Sequence, residues 1–432
     1  MTRWLLTLPL LNSPLIGLAA AVAAVLIPVV VLLRPQHPWR LLAAFLSGLV
    51  GGYILAHALE SAGLFDGPLP LHAAVWAAFG IGVAAVGITA AFSRPWWRRL
   101  LAVVMALAAL FAGALGVNQS YGVTPTLAAI LGIQALDGAE LPALSADDGD
   151  PATLYQRWSP PADMPAKGTV SALTGSTRIP SGDFAARDAA IYLPPAALVA
   201  NPPKLPLIVF MMGQPGTPEP SSLARALDAF ASTHEGLAPI AIVADQLGAP
   251  TQDPACHDST RFGSVETYFT SEIPAFAAAN LNVVTDHAYW TIGGFSNGGA
   301  CAFAWGARHP DVWGNLLDIS GNDFPGSEHI DPTVRDVFGG DRAAFEAAKP
   351  AAVLAANPGA YDGHVAIFTL GGADETFGPG QLANAKLADA AGFTVYTHTI
   401  PGAGHTGDAL SGGLTFAIDA LAPHLGLAAP SG

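Results

Sequence analysis

The chain has 432 residues, of which 51% are hydrophobic and only 12% charged, about half the usual charged share. Its formal net charge of −15 is unevenly spread: residues 1–118 hold six Lys/Arg and two Asp/Glu, and the remainder holds 12 and 31. This excludes one ordinary soluble domain, and the acidic remainder excludes a nucleic-acid partner, whose phosphates need Lys and Arg.

Four apolar stretches come first, about Leu15–Leu33, Leu41–Leu59, Leu71–Phe92 and Leu100–Val117. Each approaches the ~20 residues that span a bilayer core, and none carries an internal charge. Pro28 and the glycines within them are tolerated in lipid, where neighbouring helices satisfy the backbone. The loops after the first and third stretches carry Arg34 and Arg40, then Arg94, Arg98 and Arg99. The loop between the second and third has only Glu60 and Asp66. The Lys/Arg bias therefore predicts that loops one and three face the cytoplasm and both chain ends lie outside, with Arg3 a mild contrary signal. Trp39, Trp96 and Trp97 fall at predicted interfaces. No span has an ionisable group at mid-depth, so the bundle reads as an anchor rather than a transporter. His57 and His72 lie near span ends and read as interfacial.

Residues 119–167 read as a linker and juxtamembrane segment. TLAAILGI (126–133) suggests a short surface helix, and LPALSADDGDP and WSPPADMPAKG are irregular. From 168 to 428 strand-like and helix-like runs alternate. VSALTGSTRI and DAAIYLPP suggest early antiparallel strands, and LPLIVFMMG and PIAIVADQ read as strands buried on both faces. VETYFTSEIPAFAAAN reads as a helix kinked at Pro274. YWTIGGF, GNLLDIS, HVAIFTLGG and TVYTHTI complete the strands. The alternation predicts a mostly parallel sheet with helices on both faces.

Between strand YWTIGGF and the next helix stands GGFSNGGACAFAW, a G-x-S-x-G centred on Ser296. In that context the motif is a nucleophile elbow: a sharp turn raises the serine oxygen at the strand's end and points it at a helix N-terminus. A serine hydroxyl needs a base to take its proton. On such a fold the acid and the histidine follow the serine. Asp374, in GGADET after strand HVAIFTL, is the predicted acid, with Glu375 the alternative. His405, in PGAGHTGDAL after strand TVYTHTI, is the predicted base. His309 and His329 come too early, His364 and His398 read as structural, and Asp408 as a cap. An oxyanion hole needs two backbone N–H groups. Asn297, next after the serine, should supply one, and Gln214, in MMGQPG, the other. Cys256 and Cys301 are predicted to pair, since even cysteines outside the cytoplasm tend to do so. Two cysteines cannot complete a structural zinc site, and no phosphate or dinucleotide loop appears. No metal or cofactor is expected.

MMGQPGTP, GGFSNGGACAFAWGARHPDVWGN, FGGDRAAFEAAKP, GGADET and PGAGHT resemble the esterase D-like family of α/β-hydrolases, which includes the mycolyltransferases. The resemblance runs over about 205–410. It implies Ser296 as nucleophile, His405 as base and Asp374 as acid. Many relatives have His where Met212 stands. The mycolyltransferases use Glu as the acid, so Asp374 makes the chain more esterase-like. Four spans followed by such a domain resemble actinobacterial membrane-anchored esterases, some of which are thought to remove aminoacyl groups from lipids. The expectation is a membrane-anchored extracytoplasmic serine esterase of a lipid or envelope ester. An acyltransferase moving the acyl group to a sugar or lipid hydroxyl is the first alternative, and a non-catalytic tethered scaffold the second.

Overall fold

The computed structural model describes residues 3–32, 38–61, 69–92, 95–145 and 149–430. Leu33, Arg34, Asp66 and Arg94, used above to place and orient the spans, lie outside the described residues. The chain divides into two compact units, Met1–Leu131 and Gly132–Gly432.

The first unit holds four long helices: α1 (Pro14–Leu32), α2 (Pro38–Ser61), α3 (Leu71–Ala91) and α4 (Trp96–Tyr121). All four are long and apolar enough to cross a membrane. The fourth begins four residues before the predicted stretch and ends four after it, so Trp96, Trp97, Arg98 and Arg99 form its first turn. Small residues meet where α3 packs on α2 and α4, a cluster of Val30, Leu41, Val86 and Met105 is buried beside them, and many large apolar residues face out. A Cβ at Gly80 would lie 3.1 Å from the Gly113 Cα, and Gly52 packs equally closely on Ala78. Leu42, Ile54, Phe79 and Leu107 are exposed on the outside. At one end the backbone bridges Pro9 to Thr126, and Asn12 and Gln119 exchange two hydrogen bonds. His57 bonds Glu60 at 2.7 Å near the end of α2.

The second unit is built on β1 (Thr169–Leu173), β2 (Ala189–Leu193), β3 (Leu207–Met211), α5 (Ser221–Thr233), β4 (Ile240–Val243), α6 (Ile273–Asn280), β5 (Trp290–Phe295), α7 (Asn297–Arg308), β6 (Asn315–Ile319), β7 (Val365–Gly371), α8 (Gly378–Ala391), β8 (Thr394–Ile400) and α9 (Gly407–Leu421). The strands form one sheet in the order β1-β2-β4-β3-β5-β6-β7-β8. β2 runs antiparallel to both neighbours, and every pairing from β4 to β8 is parallel. This is an α/β-hydrolase sheet. β2 to β7 are buried along their whole length, because helices cover both faces, and continuous apolar runs suit such strands.

Three local features differ from expectation. The strand expected at VSALTGSTRI stops at Leu173, and Gly175–Thr177 forms a 3₁₀ turn instead. VETYFTSEIPAFAAAN is helical throughout, as expected, but a π-helical turn at Tyr268–Glu272 interrupts it, and Pro274 stands directly after that turn, in the first turn of α6. The wider turn suits a residue with no N–H to give. The irregular chain before β1 is fastened to the sheet unit. Asp137 and Ala139 bond Ala172, Asn282 donates to the Ala143 carbonyl at 2.9 Å, and Trp158 donates to Glu235 at 2.9 Å.

Candidate active site

β5 delivers Ser296 to a turn that α7 leaves at once. Ser296 has φ 57° and ψ −122°, a strained conformation for a residue with a side chain. Its N–H is held by the Ile319 carbonyl of β6 at 2.9 Å, which fixes the turn against the sheet. The glycines of the motif are required by close approach. A Cβ at Gly298 would lie 2.6 Å from the Met211 carbonyl oxygen, and one at Gly294 would overlap the Gly298 carbonyl. Only without those carbons can α7 start so near β3 and β5.

The loops after β7 and β8 bring two more residues to this point. They are stitched together by the Ala373 N–H donating to the Ala403 carbonyl at 2.8 Å and Gly372 N–H to Ile400 at 2.8 Å. Ser296 Oγ lies 2.7 Å from His405 Nε2, and His405 Nδ1 lies 2.9 Å from Asp374 Oδ2. An ionised carboxylate can only accept, so Nδ1 carries the proton and Nε2 is free to accept from the serine hydroxyl. The second Asp374 oxygen accepts the Phe377 N–H at 3.0 Å. Burial pushes the Asp374 carboxyl up, but the hydrogen bonds from His405, Phe377 and Thr376 outweigh it and hold it below the ordinary carboxylate value. The imidazole is walled by Phe295, stacked at 5.2 Å, and Phe377 at 4.6 Å. Glu375, one residue from Asp374, is exposed to solvent, and the ring meets Asp374 instead.

Asn297 opens α7, where first-turn N–H groups have no partner within the helix. Gly213 lies directly against the Ser296 turn: a Cβ there would be 3.0 Å from the Ser296 Cβ. Gln214 follows it, and its backbone N–H makes no hydrogen bond among the described residues. Its side chain donates to the Gln252 carbonyl at 2.9 Å.

Several supporting groups escaped the sequence analysis. Arg187 and Asp245 form a bidentate pair, with Nη2–Oδ1 at 2.6 Å and Nε–Oδ2 at 2.9 Å. Arg187 also donates to the Gly216 carbonyl at 2.7 Å, so the pair holds the loop after β3. Gln246 donates to the Met212 carbonyl at 2.6 Å and to the Asn297 side chain at 3.1 Å, and Asn297 in turn donates to Asp253 at 3.2 Å. These contacts join residues 51 and 44 positions apart. The one available signal was that Asp245 and Gln246 end a buried strand, where functional groups collect.

Cys256 and Cys301 are disulfide-bonded, with Cα atoms 5.3 Å apart, and pin the loop after β4 to α7. Beside the bridge, Glu266 forms an ion pair with Arg308 at 3.0 Å and bonds His309 at 2.8 Å and His257 at 3.1 Å. Burial pushes its carboxyl up, but these partners prevail and bring it down to about 2. His309 is thus a partner of Glu266. His364 bonds the Pro310 carbonyl at 2.8 Å, and His398 stacks on Phe416. Asp408 is exposed in the first turn of α9.

The "Putative esterase" family matches residues 185–409 of this chain. An uncharacterized protein of Corynebacterium glutamicum is 30% identical over 427 residues, covering 94% of this chain and 95% of that protein. Among solved structures, an S-formylglutathione hydrolase from Agrobacterium tumefaciens is 17% identical with a TM-score of 0.48, covering 61% of this chain and 96% of its own. A fluorophosphonate-binding serine hydrolase of Staphylococcus aureus is 13% identical with a TM-score of 0.46, covering 59% and 98%. With a family match over more than half its length and a relative aligned almost end to end, the chain belongs to the "Putative esterase" family and is a carboxylic ester hydrolase of the serine type.

Proposed function

We propose that Ser296, His405 and Asp374 are the catalytic triad of this esterase, that α1–α4 anchor it in a membrane, and that its hydrolase unit works outside the cytoplasm on lipid-borne esters. The observation that carries the catalytic part is the unbroken chain Ser296 Oγ–His405–Asp374 at 2.7 and 2.9 Å, with Ser296 on a strained strand-to-helix turn.

His405 Nε2 takes the serine proton as Oγ attacks the ester carbonyl carbon. The carbonyl oxygen gathers negative charge and accepts from the N–H groups of Asn297 and Gln214. Asp374 stabilises the imidazolium and keeps Nδ1 protonated. The tetrahedral intermediate collapses, His405 returns the proton to the leaving alcohol, and an acyl-Ser296 ester remains. Water then attacks with His405 again as base, and the acid leaves. An alcohol in place of that water would make the same chemistry acyl transfer.

Arg40, Arg98 and Arg99 at one end of the helices support an inward-facing loop pair. The disulfide supports an oxidising compartment for the hydrolase unit. Tethering raises the local concentration of membrane esters. The acidic charge of residues 119–432 favours a cationic head group, as on an aminoacyl lipid. The test is fluorophosphonate labelling of the full chain in detergent beside Ser296→Ala. Labelling lost in the variant supports the assignment, and an unlabelled, folded wild type defeats it. Neutral and aminoacylated lipid esters are then offered with and without an alcohol acceptor. Equal turnover of both esters would defeat the cationic preference, and acyl alcohol as main product would make the enzyme a transferase.

A further inference from the structure

We infer that Asp318 is held as a neutral carboxylic acid beside Gln381, and that the two side chains form a positioning device joining the Ser296 turn to the Asp374 loop. The inference rests on the triad assignment above. Asp318 is the penultimate residue of β6 and is fully buried. Its carboxyl fits between the first turn of α7 and the chain after β6, where a Cβ on either Gly299 or Gly321 would overlap Oδ1. Oδ1 accepts the Gly321 N–H at 2.9 Å. Oδ2 is buried with no partner.

Gln381, on α8, is also fully buried, and its carboxamide adjoins the Asp318 carboxyl. Its Nε2 donates to the Gly321 carbonyl at 2.9 Å, which leaves Oε1 as the second orphaned acceptor of the same cluster. Two buried acceptors without a donor are costly, and an unpaired buried anion is costlier. A proton on Oδ2 removes the unpaired anion, and it lets that oxygen donate where a carboxylate cannot.

No neighbouring charge offers the alternative of an ion pair. β5 and β7 contain no ionisable residue. On α7 only Arg308 is charged, at the far end, and it engages Glu266. Asp323 after β6, Lys386 and Asp389 on α8, and Asp408 and Asp419 on α9 are all exposed to solvent. Burial alone pushes Asp318 up to about 7, against the pull of Gln381 and the Gly321 N–H.

The connection to catalysis is short. α7, against which Asp318 packs, starts at the residue after Ser296. The Gln381 N–H bonds the Phe377 carbonyl at 3.0 Å, and Phe377 both donates to Asp374 and packs on His405. Ionising Asp318 leaves a buried anion without a counter-ion between α7 and α8, and loosens their packing beside Ser296 and Asp374.

The sign of the pH effect follows. A carboxyl raised in the folded state contributes stability below its unfolded value, 3.8, and loses it as pH rises through about 7. Activity should therefore fall on the alkaline side. The test is the pH profile of kcat for a chromogenic short-chain ester, with full-length wild type and Asp318→Asn in detergent. The wild type should lose up to about tenfold per pH unit above neutrality. Asp318→Asn, always neutral and able to donate through Nδ2, should stay flat there. The same alkaline limb in both proteins, or no limb in the wild type, overturns the inference. Should the variant not fold, infrared titration of ¹³C-aspartate-labelled wild type decides it. A protonated aspartic carbonyl band lost near neutral pH supports the assignment, and its absence at mildly acidic pH overturns it. Fluorophosphonate labelling is read in the same samples: an unlabelled wild type defeats the triad, and a labelled one with a flat profile defeats only the role of Asp318.

Discussion

At Asp374 and Glu375, sequence reasoning favoured the first of two adjacent carboxylates and kept the second as the alternative, and burial separates them. Asp374 turns inward to His405 Nδ1, while Glu375 stays in solvent. Removing the charge from the inward one deprives the imidazolium of its counter-ion and frees the ring to take the wrong tautomer. Asp374→Asn is accordingly expected to lower kcat by about 10³–10⁴ with little change in KM. Glu375→Gln should leave both constants near wild type. Steady-state kinetics on the same ester check the pair, and an equal loss in both variants would contradict the assignment.

Among the elements, the turn between β5 and α7 is the most demanding, because it packs backbone against backbone. The carbon added by Gly298→Ala would meet the Met211 carbonyl at 2.6 Å, a main-chain atom that cannot rotate away. Overpacking of this kind costs about 1–3 kcal/mol. Gly404, beside His405, has open space at its Cβ position. Gly404→Ala should thus change stability by no more than about 0.5 kcal/mol. Denaturant unfolding of the two variants measures the contrast, and equal stabilities would mean that the elbow relaxes freely. The loop after β4 is held differently, by one disulfide and by Glu266 with its three basic partners.

Over the whole molecule, two units obey opposite packing rules. α1–α4 bury mostly glycine and alanine, with a few larger residues such as Leu41 and Met105, and leave many leucines, isoleucines and phenylalanines exposed. The sheet unit buries its large residues, including Trp290, Trp305 and Trp313, as suits water. On the topology proposed above, a periplasmic-type alkaline phosphatase reporter fused after residue 430 should be active, and one fused after Arg40 inactive. The reverse pattern would place the hydrolase unit in the cytoplasm and leave the disulfide without an oxidising compartment.

The sequence by itself determined the kinds of element and the place of the turn at Ser296. Four charge-free stretches, eight strands in order and a G-x-S-x-G between strand and helix are all local patterns, and local patterns survive in one dimension. It also supplied the order Ser296, Asp374, His405, because each follows its own strand. Tertiary structure alone decided which carboxylate meets His405, since that depends on the side chain's direction at a loop joined to another loop 30 residues away. It alone brought Gln246 and Asp253 to Asn297, Arg187 to the loop after β3, and Gln381 to Asp318. Those contacts join distant segments through burial and hydrogen bonding. No spacing along the chain encodes them, because their energy exists only once water has been excluded from the sites they share.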